Sequence, residues 1–332
     1  MAKQSHFQLI YKGVDISSEL DPMTTSVTYT DNHHGEADEI EVTVQDKAGR
    51  WKGSWKPEPG DTMQLTILDS SGSLPCGTFE LDEPEASGDR NGDRMTMRGL
   101  AAPITKSLRT QKVKAFEKQS LSAIVNKVAG EAGLSVEGQI DNLFFERVTQ
   151  RRERDLEFLT RLAEDTGHYF AAKGKRAVFT NFKSVDGQSP ALTVSHNMFG
   201  TNLISYSLKE QTAETYSKAK ASYLDRDKKE NIEAEETDNQ VKTGDTLRIS
   251  GERTESTANA RALVKSRLHF ANRKRRSGSI SIVGDVRAIA GCVIELGDFG
   301  QYSGLYLIDR SVHVMTRGGY QTDAELLDAR GK

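Results

Sequence analysis

Cysteine is nearly absent: Cys76 and Cys292 are the two in 332 residues. Two isolated thiols exclude a disulfide framework and a thiolate metal site, and they suit a protein made in a reducing cytoplasm. A dominant charge is missing too. The 45 Lys and Arg against 48 Asp and Glu leave a net charge of −3, so bulk charge argues neither for nucleic acid nor for an anionic membrane. No apolar run approaches a membrane span, and residues 1 to 20 lack the apolar core of a cleaved signal peptide. Catalytic patterns are also lacking: there is no Gly-x-Ser-x-Gly elbow and no phosphate-binding glycine loop. His33-His34-Gly35-Glu36 has neither the His-Glu-x-x-His spacing nor a cysteine pair, and adjacent histidines on a strand point to opposite faces. Glu153 and Asp155 resemble a carboxylate pair, but Asp155 reads better as a helix N-cap and Glu153 as charge near the positive end of that helix. Catalysis, a cofactor and a metal are therefore not expected.

What is present is a pattern that occurs twice. Gly77-Thr78-Phe79-Glu80-Leu81-Asp82 and Gly304-Leu305-Tyr306-Leu307-Ile308-Asp309 share glycine, aromatic, aliphatic and aspartate at the same spacing. Each follows a short apolar strand and a polar turn, so each reads as the return strand of a β-hairpin. Glycine permits the backbone twist leaving the turn, and side chains two apart share one face of a strand. A pattern this loose also fits any two hairpins, but both copies lie in strand-rich stretches the size of a small barrel. That context predicts a duplicated β-domain.

In chain order, residues 6 to 99, within a first domain of 1–104, alternate apolar and polar positions, as in Ile40, Val42, Val44 and Met63, Leu65, Ile67. This predicts antiparallel strands with one face on a core. Trp51 and Trp55 fall in a long connection, either on a contact surface or packed back on their own domain. Residues 105–190 change period: Leu121, Ile124, Val125 and Val128 make a helical stripe between the cap Ser120 and the stop Gly133. A second helix runs from Asp155 to Gly167, followed by a hairpin turning at Lys173-Gly174-Lys175. A linker is expected from Ser184 to Asn202. Residues 191–332 return to strands, with a charged excursion at Asp225 to Asp245 and one helix capped by Ser256. The expected fold is mainly β: two similar antiparallel β-barrel domains separated by a small α+β domain.

The run Val148-Thr149-Gln150, then Arg154 to Phe170, with Asp155, Leu156, Phe158, Leu159, Leu162, Ala163 and Gly167 in place, resembles the central signature of the phage late control protein D family of contractile-tail hub proteins. The hub region of type VI secretion spike proteins is related to that family. Gly304-x-Tyr306-x-Ile308-Asp309-x-x-x-His313 and Gly318-Gly319-Tyr320-x-Thr322 resemble it too. The resemblance implies a structural baseplate hub of a contractile phage tail or tailocin, made in the host cytoplasm and assembled into the particle. It implies a homotrimer whose six barrels adapt a six-fold tail tube protein to a trimeric spike protein, among other baseplate proteins and without membrane binding of its own. The chain reaches Lys332 with no β-helical needle, so the spike is expected as a separate chain, and a type VI-like secretion hub with a separate spike is the neighbouring alternative.

Basic clusters supply the rival reading. Arg147, Arg151 and Arg152 flank the central motif, and Arg273-Lys274-Arg275-Arg276 is a run of four. A nucleic-acid-binding module would set such groups against phosphates, and a hub lumen would give transient, sequence-blind contact with DNA. Nearby Glu146, Glu153, Asp155 and Glu157 offset them and no aromatic platform is interleaved, which favours ion pairs or a subunit interface. A peptidoglycan-binding or hydrolytic protein is the remaining class, distinguished by clearing of cell-wall substrate. Tyr306→Asp is expected to unfold the second β-region while sparing the central helices. Hydrogen exchange that leaves that region protected in the variant would refute the proposed role of Tyr306.

Overall fold

A computed structural model of the chain describes residues 5–101, 110–225, 229–242, 244–250, 254 and 256–329. The expected boundary at 104/105 and parts of the charged excursion lie outside the described residues. The fold is mainly β, and none of the described helices is long and apolar enough to cross a membrane.

The strands of the first region are β1 (His6–Tyr11), β2 (Val14–Asp15), β3 (Thr24–Asn32), β4 (Glu39–Gln45), β5 (Thr62–Asp69), β6 (Gly72–Asp89) and β7 (Gly92–Leu100), with a single-turn helix α1 (Ser17–Leu20). Alternation does what it predicts: Ile40, Val42 and Val44 of β4 and Met63, Leu65 and Ile67 of β5 are all buried in one core. Trp51 joins that core, while Trp55 is exposed and stands edge-on to it with ring centroids 5.7 Å apart.

The central region comprises β8 (Lys112–Ser120), α2 (Leu121–Glu131), β9 (Ser135–Glu137), β10 (Phe144–Glu153), α3 (Asp155–Thr166), β11 (His168–Lys173), β12 (Arg176–Asn181) and α4 (Phe182–Asp186). Ser120 caps α2, its hydroxyl accepting from the Ala123 N–H, and Gly167 ends α3 in the left-handed conformation at φ +80°. The α2 and α3 stripes pack together in a second core around Phe116, Phe158 and Phe179.

The remaining elements are β13 (Leu192–Ser195), β14 (Leu203–Glu210), β15 (Tyr216–Asp225), β16 (Glu230–Thr237), β17 (Asp245–Ile249), α5 (Thr257–Asn272), β18 (Arg276–Val283), β19 (Val293–Gly297), β20 (Gly304–Thr316) and β21 (Gly319–Asp328). Part of the charged excursion is strand: β16 pairs antiparallel with β15, and α5 packs its Ala260, Val264 and Leu268 against that small sheet. The stretch read as a linker is also structured. Asn181 caps α4 by accepting from the Ser184 N–H at 3.0 Å, and β13 pairs in parallel with β19, burying Leu192 and Val194.

Strand pairing reveals a duplication deeper than the hairpin motif. The first region has the order β1-β5-β6-β7-β4-β3, and the last has β13-β19-β20-β21-β18-β14. Both use the same strands in the same sequence order, with β15 to β17 and α5 inserted after β14. Registers coincide. Leu81 faces Gly99 and Ile308 faces Leu326; in each case one residue, Asp82 or Asp309, is then left out as a bulge before Glu83 meets Arg98 and Arg310 meets Glu325. A second bulge is shared: Thr24 faces Val44 before Ser26 meets Thr43, and Leu203 faces Ile282 before Ser205 meets Ser281.

The two copies form one sheet of 13 strands, because β3 pairs antiparallel with the outer half of β20, from Arg310 opposite Asn32 to Thr316 opposite Ser26. Among the described residues this pairing runs as an open path and closes neither copy into a barrel.

Phe79 and Tyr306, the aromatics of the repeated motif, are fully buried in their separate cores. Phe79→Ala should cost about 3–5 kcal/mol of folding stability, measured as a fall in the denaturant midpoint at unchanged slope; a loss below about 1 kcal/mol would show that this position is not a core anchor.

Candidate functional site: the buried joint between the β-copies and the central helices

The β3–β4 connection, residues 33–38, reaches the central region and the second β-copy together. Its backbone is used on both sides. The His33 N–H donates to the Asp309 carbonyl at 2.9 Å and the Gly35 N–H to the Phe170 carbonyl at 2.9 Å, while Ala37 bridges to Ala172 of β11. The histidine pair weighed for metal binding is spent on this docking. His34 Nδ1 accepts from the Phe170 N–H at 3.0 Å, and the His33 ring packs on Tyr169 with centroids 4.2 Å apart. Burial pushes the His33 imidazole well below its ordinary pKa, so it is neutral.

The same joint holds a buried charge cluster that the sequence does not announce. Lys173, at the end of β11, forms ion pairs with Asp31 of β3 and, at 3.1 Å, with Asp38. It also donates to the Asn32 carbonyl at 3.1 Å. Asp31 in turn accepts from the Ala290 N–H at 2.9 Å, just before β19, and Asp38 from the Asn32 N–H at 2.9 Å. One ammonium thus ties all three regions. Burial lifts the Asp38 carboxyl to about 6, against the lowering by Lys173. Burial alone would lower the Lys173 ammonium, yet Asp31 and Asp38 hold it above its ordinary value.

Of the repeated motif, Gly77 and Gly304 both take positive φ, at +113° and +137°; Gly304 opens β20 as it leaves its turn, whereas β6 already begins at Gly72 and Gly77 lies within it opposite Leu65, beside a bulge. Leu81 and Ile308 are buried with the aromatics. The aspartates differ: Asp309 sits in the joint, 3.5 Å from the Arg273 guanidinium, whereas Asp82 is exposed.

In the central motif, Phe158, Leu159, Leu162 and Ala163 are buried and Leu156 packs against them. Asp155 is not the cap. Arg154 takes that position, with its N–H donating to the Glu157 carboxylate at 2.8 Å, and the fully enclosed Asp155 turns inward. There it accepts from Lys112 at 2.5 Å and Gln150 at 3.0 Å, binding β8 and β10 to α3. An N-terminal helix position favours a carboxylate by dipole as well as by capping, which is why the local pattern alone misplaced it. Glu153 is paired with Arg161 at 2.6 Å, which holds its carboxyl below the usual range.

The basic residues separate into two groups. Arg147, beside Glu117 at 3.6 Å, and Arg151 and Arg152 are exposed on β10. In the run of four, only Lys274 is exposed. Arg273 lies over the Phe270 ring, Arg275 pairs with Asp328 at 3.2 Å, and Arg276 covers the Tyr306 ring at 4.8 Å and donates to the carbonyls of Tyr302 and Ser303.

Residues 76–319 match the family described as phage tail baseplate hub (GPD). The chain is 27% identical over 198 residues to a probable baseplate hub protein of Escherichia phage 186, covering 58% of this chain and 50% of that protein. The chain thus spans about half the length of that curated relative. By fold it is similar to the 43 kDa tail protein of prophage MuSo2 from Shewanella oneidensis, with TM-score 0.72, 16% identity, and coverage of 98% of this chain and 99% of that one. It is also similar to the E. coli c3393 protein, a component of the type VI secretion system, with TM-score 0.57, 13% identity, and coverage of 92% and 73%.

An acid whose folded pKa lies above its unfolded value contributes stability while protonated and loses it as pH rises through the folded value. Wild type should therefore lose about 1–3 kcal/mol relative to Asp38→Asn between pH 4 and pH 6, read from urea unfolding of both proteins. A stability difference that stays flat across that window would refute the assignment.

Proposed function

The chain belongs to the phage tail baseplate hub (GPD) family, and from that membership we propose that it is a trimeric structural hub joining a six-fold tail tube to a three-fold spike. Its domains are 1–104 and 191–332, two tube-like β-domains, with 105–190 as the central α+β domain between them. Three chains then present six quasi-equivalent β-units. The observation that carries this reading is the shared strand order and register of the two β-copies, bulges included. A symmetry adaptor requires repeated interfaces for ring closure. An ordinary two-domain protein has no such requirement.

The role is mechanical. The hub closes the tube end, holds a spike protein and other baseplate proteins, and transmits the spike when the sheath contracts. Each barrel is completed in the assembled ring rather than within one chain, in keeping with the open path of the sheet. Arg273, Arg275 and Arg276 act as internal ties, which leaves the exposed Arg147, Arg151, Arg152 and Lys274 for transient phosphate contact in a lumen or for a subunit interface. The particle carrying this hub is a phage tail or a tailocin, and a type VI-like system with a separate spike is the neighbouring case.

Light scattering or native mass spectrometry at two salt concentrations tests the assembly. A mass three times that of the 36.7 kDa chain at both salts is expected. A single chain that instead binds DNA and loses it steeply as salt rises would favour the nucleic-acid-binding reading.

A further inference from the structure

The 33–38 connection is a strap whose hold on β11 depends on a histidine kept free of its second proton. His34 Nδ1 accepts from the Phe170 N–H at 3.0 Å. A backbone N–H can only donate, so Nδ1 is bare and the single ring proton sits on Nε2. That nitrogen lies 3.5 Å from the Glu164 carboxylate of α3. The ring is held between Phe270 of α5, stacked at 5.3 Å, and Tyr169, edge-on at 5.9 Å. A proton added at Nδ1 would set two donors against each other and leave the Phe170 N–H buried without an acceptor, which is costly. The imidazolium has a better place to go. His34 holds the Glu164 carboxyl below its usual range, so that acid stays ionised in mild acid, and its side chain is 37% exposed. Glu164 can therefore pair with a charged His34 at the surface, away from β11.

The surrounding charges bear on both histidines. Burial, helped by His34, Arg273 and Lys173, holds the His33 imidazole well below its ordinary value. A histidine lowered in this way contributes stability above its ordinary value near 6.5 and loses it as pH falls below that. Arg267 and Arg273 also face Glu164. Asp309 of β20 pairs with Arg273, and Asp31 and Asp38 pair with Lys173. Asp38, lifted to about 6 by burial, works the other way, because taking up a proton favours its enclosed state. We propose that residues 33–38 are an acid-released strap: in mildly acidic solution His33 and His34 take up protons, the strap lifts from β11, and the central α+β region is freed to turn against the β-sheet. The ladder between β3 and β20 is the part that stays. It is paired through its backbone from Arg310 to Thr316, and burial holds its His313 down at about 4, so that imidazole remains neutral. The strap belongs to the single chain and does not rest on its assembly into a hub.

The test is hydrogen exchange of the full chain at about pH 7.5 and about pH 5.5, either side of the ordinary imidazole value. Rates are corrected for intrinsic exchange and followed at the Gly35 and Phe170 N–H groups, with Val27 of β3 and Val125 of α2 as references. Protection at Gly35 and Phe170 should fall about 10-fold or more in wild type, while Val27 and Val125 keep theirs. His34→Asn places an uncharged acceptor oxygen where Nδ1 stands, and it should show a smaller fall than wild type. Adding His33→Phe, which keeps a ring against Tyr169, should reduce the fall to less than about 2-fold. Asp38 is present in every chain, so its opposing titration cancels in the comparison. His34→Asn alone leaves the packing of His33 on Tyr169 untouched and decides the matter if the double variant does not fold. Phe170 protection that is flat with pH in wild type, that falls as far in His34→Asn as in wild type, or that falls only together with Val125, overturns the strap.

Discussion

The antiparallel ladder between β3 and β20 is the constraint on which the rest of the molecule depends. It converts two β-regions far apart in sequence into one sheet and removes one exposed edge. A buried strand must have its backbone donors and acceptors paired, so the ladder also fixes where each region sits. At its end the carboxylates Asp31 and Asp38 leave the surface. Enclosed carboxylates need a compensating cation, and Lys173 arrives from the central region to supply it. The three regions are therefore bound together at one place by hydrogen bonds and charge, alongside apolar contacts in which Met315 and Tyr320 join the first copy's core and Tyr169 and Phe182 pack with Val293 and Leu307.

That arrangement explains why a hub chain can be rigid without being closed. Each β-copy and the central helices have an apolar cluster of their own, and a smaller cluster of Tyr169, Phe182, Val185, Val293 and Leu307 bridges the central region and the second copy. What aligns them is directional: strand register, the bulges at Asp82 and Asp309, and the docking of residues 33–38 on β11. A bulge bends its strand and re-aims the residues beyond it. It recurs at equivalent points in the two copies.

Local patterns in the sequence reported well on local structure. The alternation of Ile40, Val42 and Val44, the stripe of Leu121, Ile124, Val125 and Val128, and the stops at Gly133 and Gly167 all concern residues a few positions apart. Their physics is settled within a turn or a strand. The same local rules misassigned Asp155, because a carboxylate at the start of a helix satisfies the pattern whether it caps the helix or turns inward to Lys112. They also passed over α4 and β13, a short helix and a short strand whose apolar positions are too few to show a period.

The sequence by itself determined that the chain is mainly β, that a glycine-aromatic-aliphatic-aspartate hairpin occurs twice, that two amphipathic helices lie between the copies, and which family the central motif resembles. These come from short-range periodicity, turn chemistry and capping, which a chain carries in its order. Only the tertiary structure decided that the copies share strand order and register, that β3 completes the second copy, and that Lys173, Asp31 and Asp38 meet. It decided too that Arg273, Arg275 and Arg276 turn into ion pairs and onto aromatic rings. Pairing between strands hundreds of residues apart depends on which edges are left unsatisfied once every element has formed, and no window along the chain contains that information.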